Sequence, residues 1–350
     1  MELNKYKIAA FTSCIRNISF FKTIYEDIKI KDKSNKAQSG DLVLLRITDC
    51  NSGYGIVEDY SAENVKLNKG DYIVTTLGNR FSGTNVYGEL LKSKISKGDL
   101  LFQLSISGIY GNYAFVENFH NNGKATEAEL IGFLEYNQKV LNIKDINNVF
   151  NNIPKQNNKS KNIFVFGTSA EVGKTTFVCN LAKTKPNNSK ISCAKVCGTG
   201  RLKDKNNYLK SNCNFVIDYV DLGYPTTYKQ SVETIKNIIK NIEIISSNNA
   251  DYCIYEVGGD MLEGGADTIL EFAKSINAYI FIVVNDAMGA LYARQLLDNY
   301  KYYVFVAWKP NIKALSERLN EKVYNIYSTK DVKKLWELIN EWYRLVKDNR

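Results

Sequence analysis

The stretch that decides the fold of this 350-residue chain reads Ile163-Phe164-Val165-Phe166-Gly167-Thr168-Ser169-Ala170-Glu171-Val172-Gly173-Lys174-Thr175-Thr176. An apolar run of strand type leads into a turn that ends in Gly-Lys-Thr-Thr, and a helical pattern follows. At such a junction, successive backbone N–H groups converge with the positive end of the helix and form a nest for an anion. The stretch therefore predicts a phosphate-binding loop.

The chemistry of such a loop assigns a role to each residue type in it. Lys174 would reach the β- and γ-phosphates of a nucleotide and act in catalysis, and the Thr175 hydroxyl would ligate Mg²⁺. Thr168 stands where the strict pattern has its first glycine, and Gly167 comes one residue earlier. The predicted cofactor-binding set is Thr168, Ser169, Ala170, Glu171, Val172, Gly173, Lys174, Thr175 and Thr176.

The region after residue 161 alternates between strand and helix patterns. Near-continuous apolar strands joined by crossover helices predict an α/β domain with a mostly parallel sheet, which binds its ligand at the carboxyl ends of the strands. The predicted strands are 162–166, 191–196, 215–219, 252–257, 279–284, 302–307 and 323–327. The predicted helices are 173–184, 227–245, 266–275, 290–299 and an amphipathic 331–346 that packs onto the sheet.

The region before residue 150 shows shorter strand patterns separated by glycine turns, which predicts a small β-rich barrel or sandwich. The predicted strands are 42–47, 53–57, 72–76, 100–104 and 110–116, and a helix is expected at 125–140. A polar segment at 151–161 contains Pro154 and predicts a linker. We therefore expect a β-rich domain over 1–150 and a phosphate-loop domain over 162–350.

Two further strand ends carry candidate functional side chains. Lys195 ends one predicted strand, where an ammonium would face phosphate or a substrate carboxylate; the alternative is a rim lysine. Glu256 ends another and precedes Gly258-Gly259, so its carboxylate would hold Mg²⁺; the alternative is a plain strand-end charge. Both are predicted to be catalytic. The other predicted ligands are Asp204 and Asp221 for the metal, and Thr199, Gly200 and Glu171 for substrate.

The same segments carry a resemblance to a known family. Gly167-Thr168-x-x-Glu171-Val172-Gly173-Lys174-Thr175 resembles the phosphate loop of dethiobiotin synthetase and related P-loop NTPases. The stretches 194–200 and 254–259 are similar to that family's substrate-contacting and metal-serving stretches. The resemblance implies an ATP- and Mg²⁺-dependent ligase that is cytoplasmic. It also implies that Glu171 contacts substrate or a second subunit of a homodimer.

An uncharacterised family with a dethiobiotin-synthetase-like domain resembles more of the chain. Its likeness extends to the segments 198–204 and 221–228, and to the N-terminal segments 70–74 and 78–81. Membership would imply the P-loop fold with an N-terminal β domain. It would not indicate a reaction, because none is known for this family.

Composition narrows the possible chemistry. The chain holds one histidine, His120, in a polar turn, which argues against a histidine base, a Ser-His-Asp triad or a multi-histidine metal site. Seven cysteines without CxxC pairs indicate a reduced, cytoplasmic protein. The net charge of +9 is not gathered into basic blocks, and the apolar runs are short, so we expect neither nucleic acid nor a membrane as partner.

Two functions remain open from the sequence. The first is an enzyme that uses Mg-ATP to activate a small carboxylate substrate by phosphoryl transfer, as a ligase or a cyclising enzyme. The second is an ATPase switch or nucleotide-binding regulatory module that acts on a protein partner. No Lys-Gly-Gly-x-Gly-Lys loop of the dimerising switch ATPases is present, which favours the enzyme. No Asn-Lys-x-Asp guanine signature is present either, so ATP is expected, with GTP as the alternative.

Overall fold

The protein is described here as a computed structural model, which covers residues 1–34, 36–50, 55–81, 86–91, 94–116, 123–147, 150, 160–308 and 312–348. It divides into two compact units. Unit 1 comprises Met1–Asn151, Thr199–Lys203 and Tyr219–Lys229, and unit 2 comprises Asn152–Gly198, Asp204–Asp218 and Gln230–Arg350. The predicted linker 151–161 lies outside the described residues up to position 159.

Unit 1 is built around a closed β-barrel. Strands β4, β13, β10, β11 and β7 pair in that order, and β7 pairs back with β4. The strands are β1 (Ile8–Phe11), β2 (Lys29–Lys31), β3 (Lys33–Ser34), β4 (Leu42–Asp49), β5 (Ile56–Glu58), β6 (Asn64–Lys66), β7 (Tyr72–Leu77), β8 (Val86–Glu89), β9 (Ile95–Ser96), β10 (Leu100–Ser105), β11 (Ile109–Gly111), β12 (Tyr113–Val116), β13 (Glu127–Tyr136) and β14 (Lys139–Val140); the helices are α1 (Ile18–Ile24) and α2 (Ile143–Asn147). The predicted β-rich front region is therefore confirmed as a barrel.

The expected helix at 125–140 is wrong, because these residues form the long strand β13. The spacing of Leu130, Ile131 and Leu134 fits a helix, yet the whole run from Leu130 to Leu134 is buried. A strand that closes a barrel and is also covered from outside loses the polar–apolar alternation that identifies strands in sequence. The predicted strand 110–116 is also two strands, which pair with different partners.

Unit 2 is a seven-stranded parallel sheet covered by helices, as predicted. Its strand order is β17-β16-β18-β15-β19-β20-β21. The strands are β15 (Lys161–Gly167), β16 (Ile191–Lys195), β17 (Phe215–Asp218), β18 (Tyr252–Glu256), β19 (Tyr279–Val283), β20 (Tyr303–Ala307) and β21 (Tyr324–Asn325). The helices are α3 (Lys174–Lys183), α4 (Leu202–Leu209), α5 (Val232–Asn249), α6 (Ala266–Ser275), α7 (Ala287–Leu297), α8 (Ile312–Leu319) and α9 (Thr329–Asp348).

The C-terminal helix α9 packs onto unit 2 with one face, as its sequence pattern predicts. Leu335, Trp336, Ile339 and Trp342 are buried in the same core as residues of β15 and α3. The Trp336 indole N–H donates to the Leu181 carbonyl oxygen at 3.1 Å, which satisfies the polar atom of a buried ring. Among the described helices, none combines the length and the apolar character that crossing a membrane requires.

Glu58 of strand β5 anchors the segment 199–203 within unit 1. Its carboxylate accepts hydrogen bonds from the backbone N–H groups of Leu202 (2.8 Å) and Lys203 (3.1 Å). The Arg201 Nε lies 3.7 Å from the same carboxylate, whose side chain is only 1% exposed. Leu202 and Lys203 open helix α4, so Glu58 supplies the acceptors that the first turn of a helix lacks.

Replacing this carboxylate should destabilise the protein. Glu58→Ala leaves two helix N–H groups and the partly exposed Arg201 without their acceptor, and we expect a loss of about 2–3 kcal/mol in the free energy of unfolding. Urea denaturation would measure it, with the exposed Glu63→Ala as the matched control. Equal stability of the two variants would contradict the capping role.

Candidate functional site

The loop predicted to bind phosphate joins β15 to α3 in unit 2. Gly173 has φ +103° and caps the helix, and Glu171 is exposed at φ +58°. A Cβ atom added to Gly167 would lie 2.9 Å from the Lys174 Nζ, so glycine is needed for the lysine to fold back over the strand end. The loop therefore has the strand–turn–helix form that the sequence predicts.

Lys174 is buried within this loop. Its Nζ donates to the carbonyl oxygens of Ser169 at 2.8 Å and Gly259 at 2.5 Å. Burial lowers its pKa to about 8; the Glu256 carboxylate opposes this shift, and the Lys195 ammonium adds to it. An anion bound at the loop would supply the countercharge that this buried ammonium needs.

The register of the parallel sheet brings the two predicted strand-end residues side by side. Lys195 of β16 and Glu256 of β18 are paired positions in the ladder, and Lys195 also pairs with Asp218 of β17. Paired residues of adjacent strands point to the same face. The Lys195 Nζ accordingly lies 3.6 Å from the Glu256 Oε1.

Glu256 is the centre of a buried hydrogen-bond network. Its Oε1 accepts from the Thr175 hydroxyl at 2.8 Å, and its Oε2 accepts from the Tyr208 hydroxyl. The side chain of Glu256 is 2% exposed. A charged carboxylate is tolerated at such a depth only when it is paired and hydrogen-bonded, and here both of its oxygens have partners.

Asp204 supplies the second carboxylate of this network. It accepts a hydrogen bond from the Lys195 Nζ and comes from helix α4, four residues before Tyr208. Burial on its own would lower the pKa of Lys195, but the charges of Asp204 and Glu256 outweigh burial and raise it. Burial, together with the same two carboxylates, raises the pKa of Tyr208, so its hydroxyl stays protonated and donates.

The remaining predicted site residues belong to unit 1. Thr199 and Gly200 lie in its segment 199–203, where Thr199 forms an isolated β-bridge with Thr226. Asp221 lies in its segment 219–229, with its Oδ1 3.9 Å from the Arg16 Nε. Among the described residues, no three His, Cys, Asp or Glu side chains are grouped to hold a metal ion. His120 lies outside the described residues.

Sequence reasoning missed two residues that lie beside Lys195 and Glu256. Asp218 ends β17 and is buried, so an acid at the end of an apolar strand was a signal of the same kind as Glu256. Tyr208 is fully buried on helix α4, a helix that the sequence pattern does not predict. Because α4 has few apolar residues, its periodicity gives no indication of the buried tyrosine.

Among known proteins, solved structures provide the matches to this chain. No family model and no curated protein matches it. Among solved structures it is similar to the signal recognition particle receptor FtsY from Elizabethkingia anophelis, with 14% identity over 59% of this chain and 76% of that chain, at a TM-score of 0.32. It is similar to the cell division protein FtsY from Thermotoga maritima, with 13% identity over 56% and 75%, also at 0.32.

The fold is nevertheless defined by the molecule itself. A parallel sheet whose strand β15 runs through a glycine-containing loop into α3, with a Lys-Thr pair at the helix start and an acid on the adjacent strand, is a P-loop NTPase fold. The fold alone does not fix the reaction.

Removing the central cation should destabilise unit 2. Lys195→Met leaves the carboxylates of Asp204 and Glu256 without their shared partner. We expect the free energy of unfolding at pH 7 to fall by about 3 kcal/mol. Adding Asp204→Asn should restore about 1–2 kcal/mol, since it removes one of the unpaired charges. Urea denaturation of the single and double variants measures both values. A double variant that is less stable than the Lys195→Met variant would contradict the expected compensation.

Proposed function

We propose that the chain binds a nucleoside triphosphate with Mg²⁺ at the loop Thr168–Thr176 and transfers its γ-phosphoryl group. The observation that carries this proposal is the 2.8 Å hydrogen bond between the Thr175 hydroxyl and the Glu256 carboxylate, next to the buried Lys174. A hydroxyl, a carboxylate and an ammonium in this arrangement match the metal and phosphate partners of P-loop enzymes. ATP is the proposed nucleotide, with GTP as the alternative.

The donor set fits Mg²⁺. This ion takes oxygen ligands and is usually bound by one or two protein groups together with substrate phosphates. The Thr175 hydroxyl and the Glu256 carboxylate are two adjacent oxygen donors of this kind and would hold it. The ion would supply positive charge to the phosphate oxygens.

Lys174 would be the principal phosphate ligand of the chain itself. Its ammonium now donates to two backbone carbonyl oxygens. Exchange of these neutral acceptors for phosphate oxygens would give the ammonium negatively charged partners and would offset the cost of its burial. The backbone N–H groups of the loop and the start of α3 would complete the phosphate pocket.

Loss of this ammonium should strongly weaken triphosphate binding. We expect Lys174→Ala to weaken triphosphate affinity by about 100-fold, which is about 2.7 kcal/mol, with little loss of fold. Isothermal titration calorimetry measures the affinity, and circular dichroism checks the fold. Lys183→Ala, on the exposed face of the same helix, is the control and should bind as the unchanged chain does. Unchanged affinity of Lys174→Ala would refute the phosphate-loop assignment.

The reaction we propose is activation of a small carboxylate substrate, in a ligase or cyclising enzyme. The resemblance to dethiobiotin synthetase supports it, as does the partly buried cation Lys195, whose raised pKa keeps it charged. Lys195 would neutralise charge that builds up on the transferred group, as electrostatic catalysis requires. In unit 2, Glu171 is the proposed substrate contact and Asp204 the additional metal candidate. The substrate roles of Thr199 and Gly200 and the metal role of Asp221, all in unit 1, remain predictions from the sequence.

A second candidate is a nucleotide-dependent switch, and one observation favours it. The segments Thr199–Lys203 and Tyr219–Lys229 follow strands β16 and β17 in the chain, yet belong to unit 1. Segments that follow the strands of a nucleotide-binding sheet are those that respond to the γ-phosphate in nucleotide switches. In this reading the β-barrel unit would be the part that a bound nucleotide controls.

Turnover of ATP distinguishes the two functions. For the enzyme, we expect slow hydrolysis by the protein alone and a stimulation of about tenfold or more by one member of a pool of small carboxylic acids and amines, because only the bound substrate completes the reaction. Phosphate release in the presence of Mg²⁺ is the measurement. Turnover that ignores every metabolite and rises with protein concentration or with a protein partner would replace the enzyme by the switch.

A further inference from the structure

Tyr208 holds the side of the Glu256 carboxylate that faces away from the phosphate loop. The Oε1 of Glu256 has the Thr175 hydroxyl at 2.8 Å and the Lys195 ammonium at 3.6 Å, while the Oε2 is bonded to the Tyr208 hydroxyl. A carboxylate bonded at both oxygens cannot turn about its terminal torsion without breaking one of these bonds. The Tyr208 bond therefore fixes the rotation of the carboxylate plane, so that one oxygen points toward Thr175.

The position of Tyr208 is set by a helix that serves both charged residues of the site. Asp204 and Tyr208 are four residues apart on α4 and lie on the same side of it. Asp204 binds the Lys195 ammonium, and Tyr208 binds the Glu256 carboxylate. One turn of α4 thus supplies the partners of both Lys195 and Glu256, which the sheet register places side by side.

The hydroxyl of Tyr208 is not needed for packing. The ring lies in the core of unit 2 with Val178, Cys193 and Ile254, where a phenylalanine ring would fill the same volume. Burying a hydroxyl costs free energy unless it is bonded, and the partner that it has is the carboxylate of the proposed metal site. The hydrogen bond to Glu256 therefore explains why this position holds a tyrosine and not a phenylalanine.

We propose that Tyr208 is a positioning residue for Glu256, which holds the carboxylate plane with one oxygen toward Thr175 and so prepares the carboxylate for Mg²⁺. The inference rests on the proposed function, since it gives Glu256 the metal. It predicts that the hydroxyl affects binding of the metal–nucleotide complex and leaves binding of the metal-free nucleotide unchanged.

The test compares Tyr208→Phe with Tyr255→Phe. Tyr255 is equally buried, adjacent to Glu256 in the chain, and donates its hydroxyl to the Asn162 side chain at 3.0 Å, so it controls for the loss of a buried tyrosine hydroxyl. Calorimetry with a non-hydrolysable ATP analogue gives the affinity in Mg²⁺ and in EDTA. We expect Tyr208→Phe to lose about tenfold in affinity in Mg²⁺ and nothing in EDTA, and Tyr255→Phe to lose neither.

A double variant separates positioning from a general structural effect. In a Glu256→Gln background, Tyr208→Phe should cause no further loss of affinity in Mg²⁺, because the carboxylate that it orients is absent. Equal affinities of the two phenylalanine variants in Mg²⁺, or a further loss in the Glu256→Gln background, would overturn the inference while leaving the proposed function intact. An unchanged chain that binds the analogue no better in Mg²⁺ than in EDTA would overturn the proposed role of Glu256 and the inference together.

Discussion

The burial of the Glu256 carboxylate is the constraint on which the organisation of unit 2 depends. A charge taken out of water must be compensated within a few ångströms, and the compensation here comes from three elements besides its own strand. Helix α3 brings the Thr175 hydroxyl, helix α4 the Tyr208 hydroxyl and strand β16 the Lys195 ammonium. The phosphate loop, the sheet register and α4 are therefore connected through one side chain.

This network gives Lys174 and Lys195 opposite electrostatic roles. Lys195 faces two carboxylates and is held in the charged state, so it is a fixed positive charge. Lys174 donates to carbonyl oxygens, and burial lowers its pKa to about 8, so its charge is incompletely compensated. The charge of Lys195 is thus neutralised by carboxylates of the protein, whereas the charge of Lys174 is not fully neutralised. That asymmetry is what a site for an incoming phosphate requires.

The sequence predicted those parts of the site that are local and failed where partners are distant. Lys195 and Glu256 were predicted because each ends a strong strand pattern, and Thr175 because it opens the helix after the glycine turn; the structure brings these three side chains together. Tyr208 was missed because its role depends on a short polar helix and on a carboxylate 48 residues away. The strand Glu127–Tyr136 was predicted as a helix because residues on both of its faces are buried, so the alternation that identifies a strand is missing.

The division of the chain into units shows the same dependence on distant partners. From composition alone, the polar segment 151–161 separates two contiguous domains, whereas in the structure the segment 199–203 belongs to the unit that contains the barrel. Glu58 explains this, because its buried carboxylate is bonded to the N–H groups of Leu202 and Lys203. A fragment cut at the polar segment would lose these acceptors at the start of α4, the helix that carries Asp204 and Tyr208. The start of α4 is therefore stabilised by a residue that lies far upstream in the sequence.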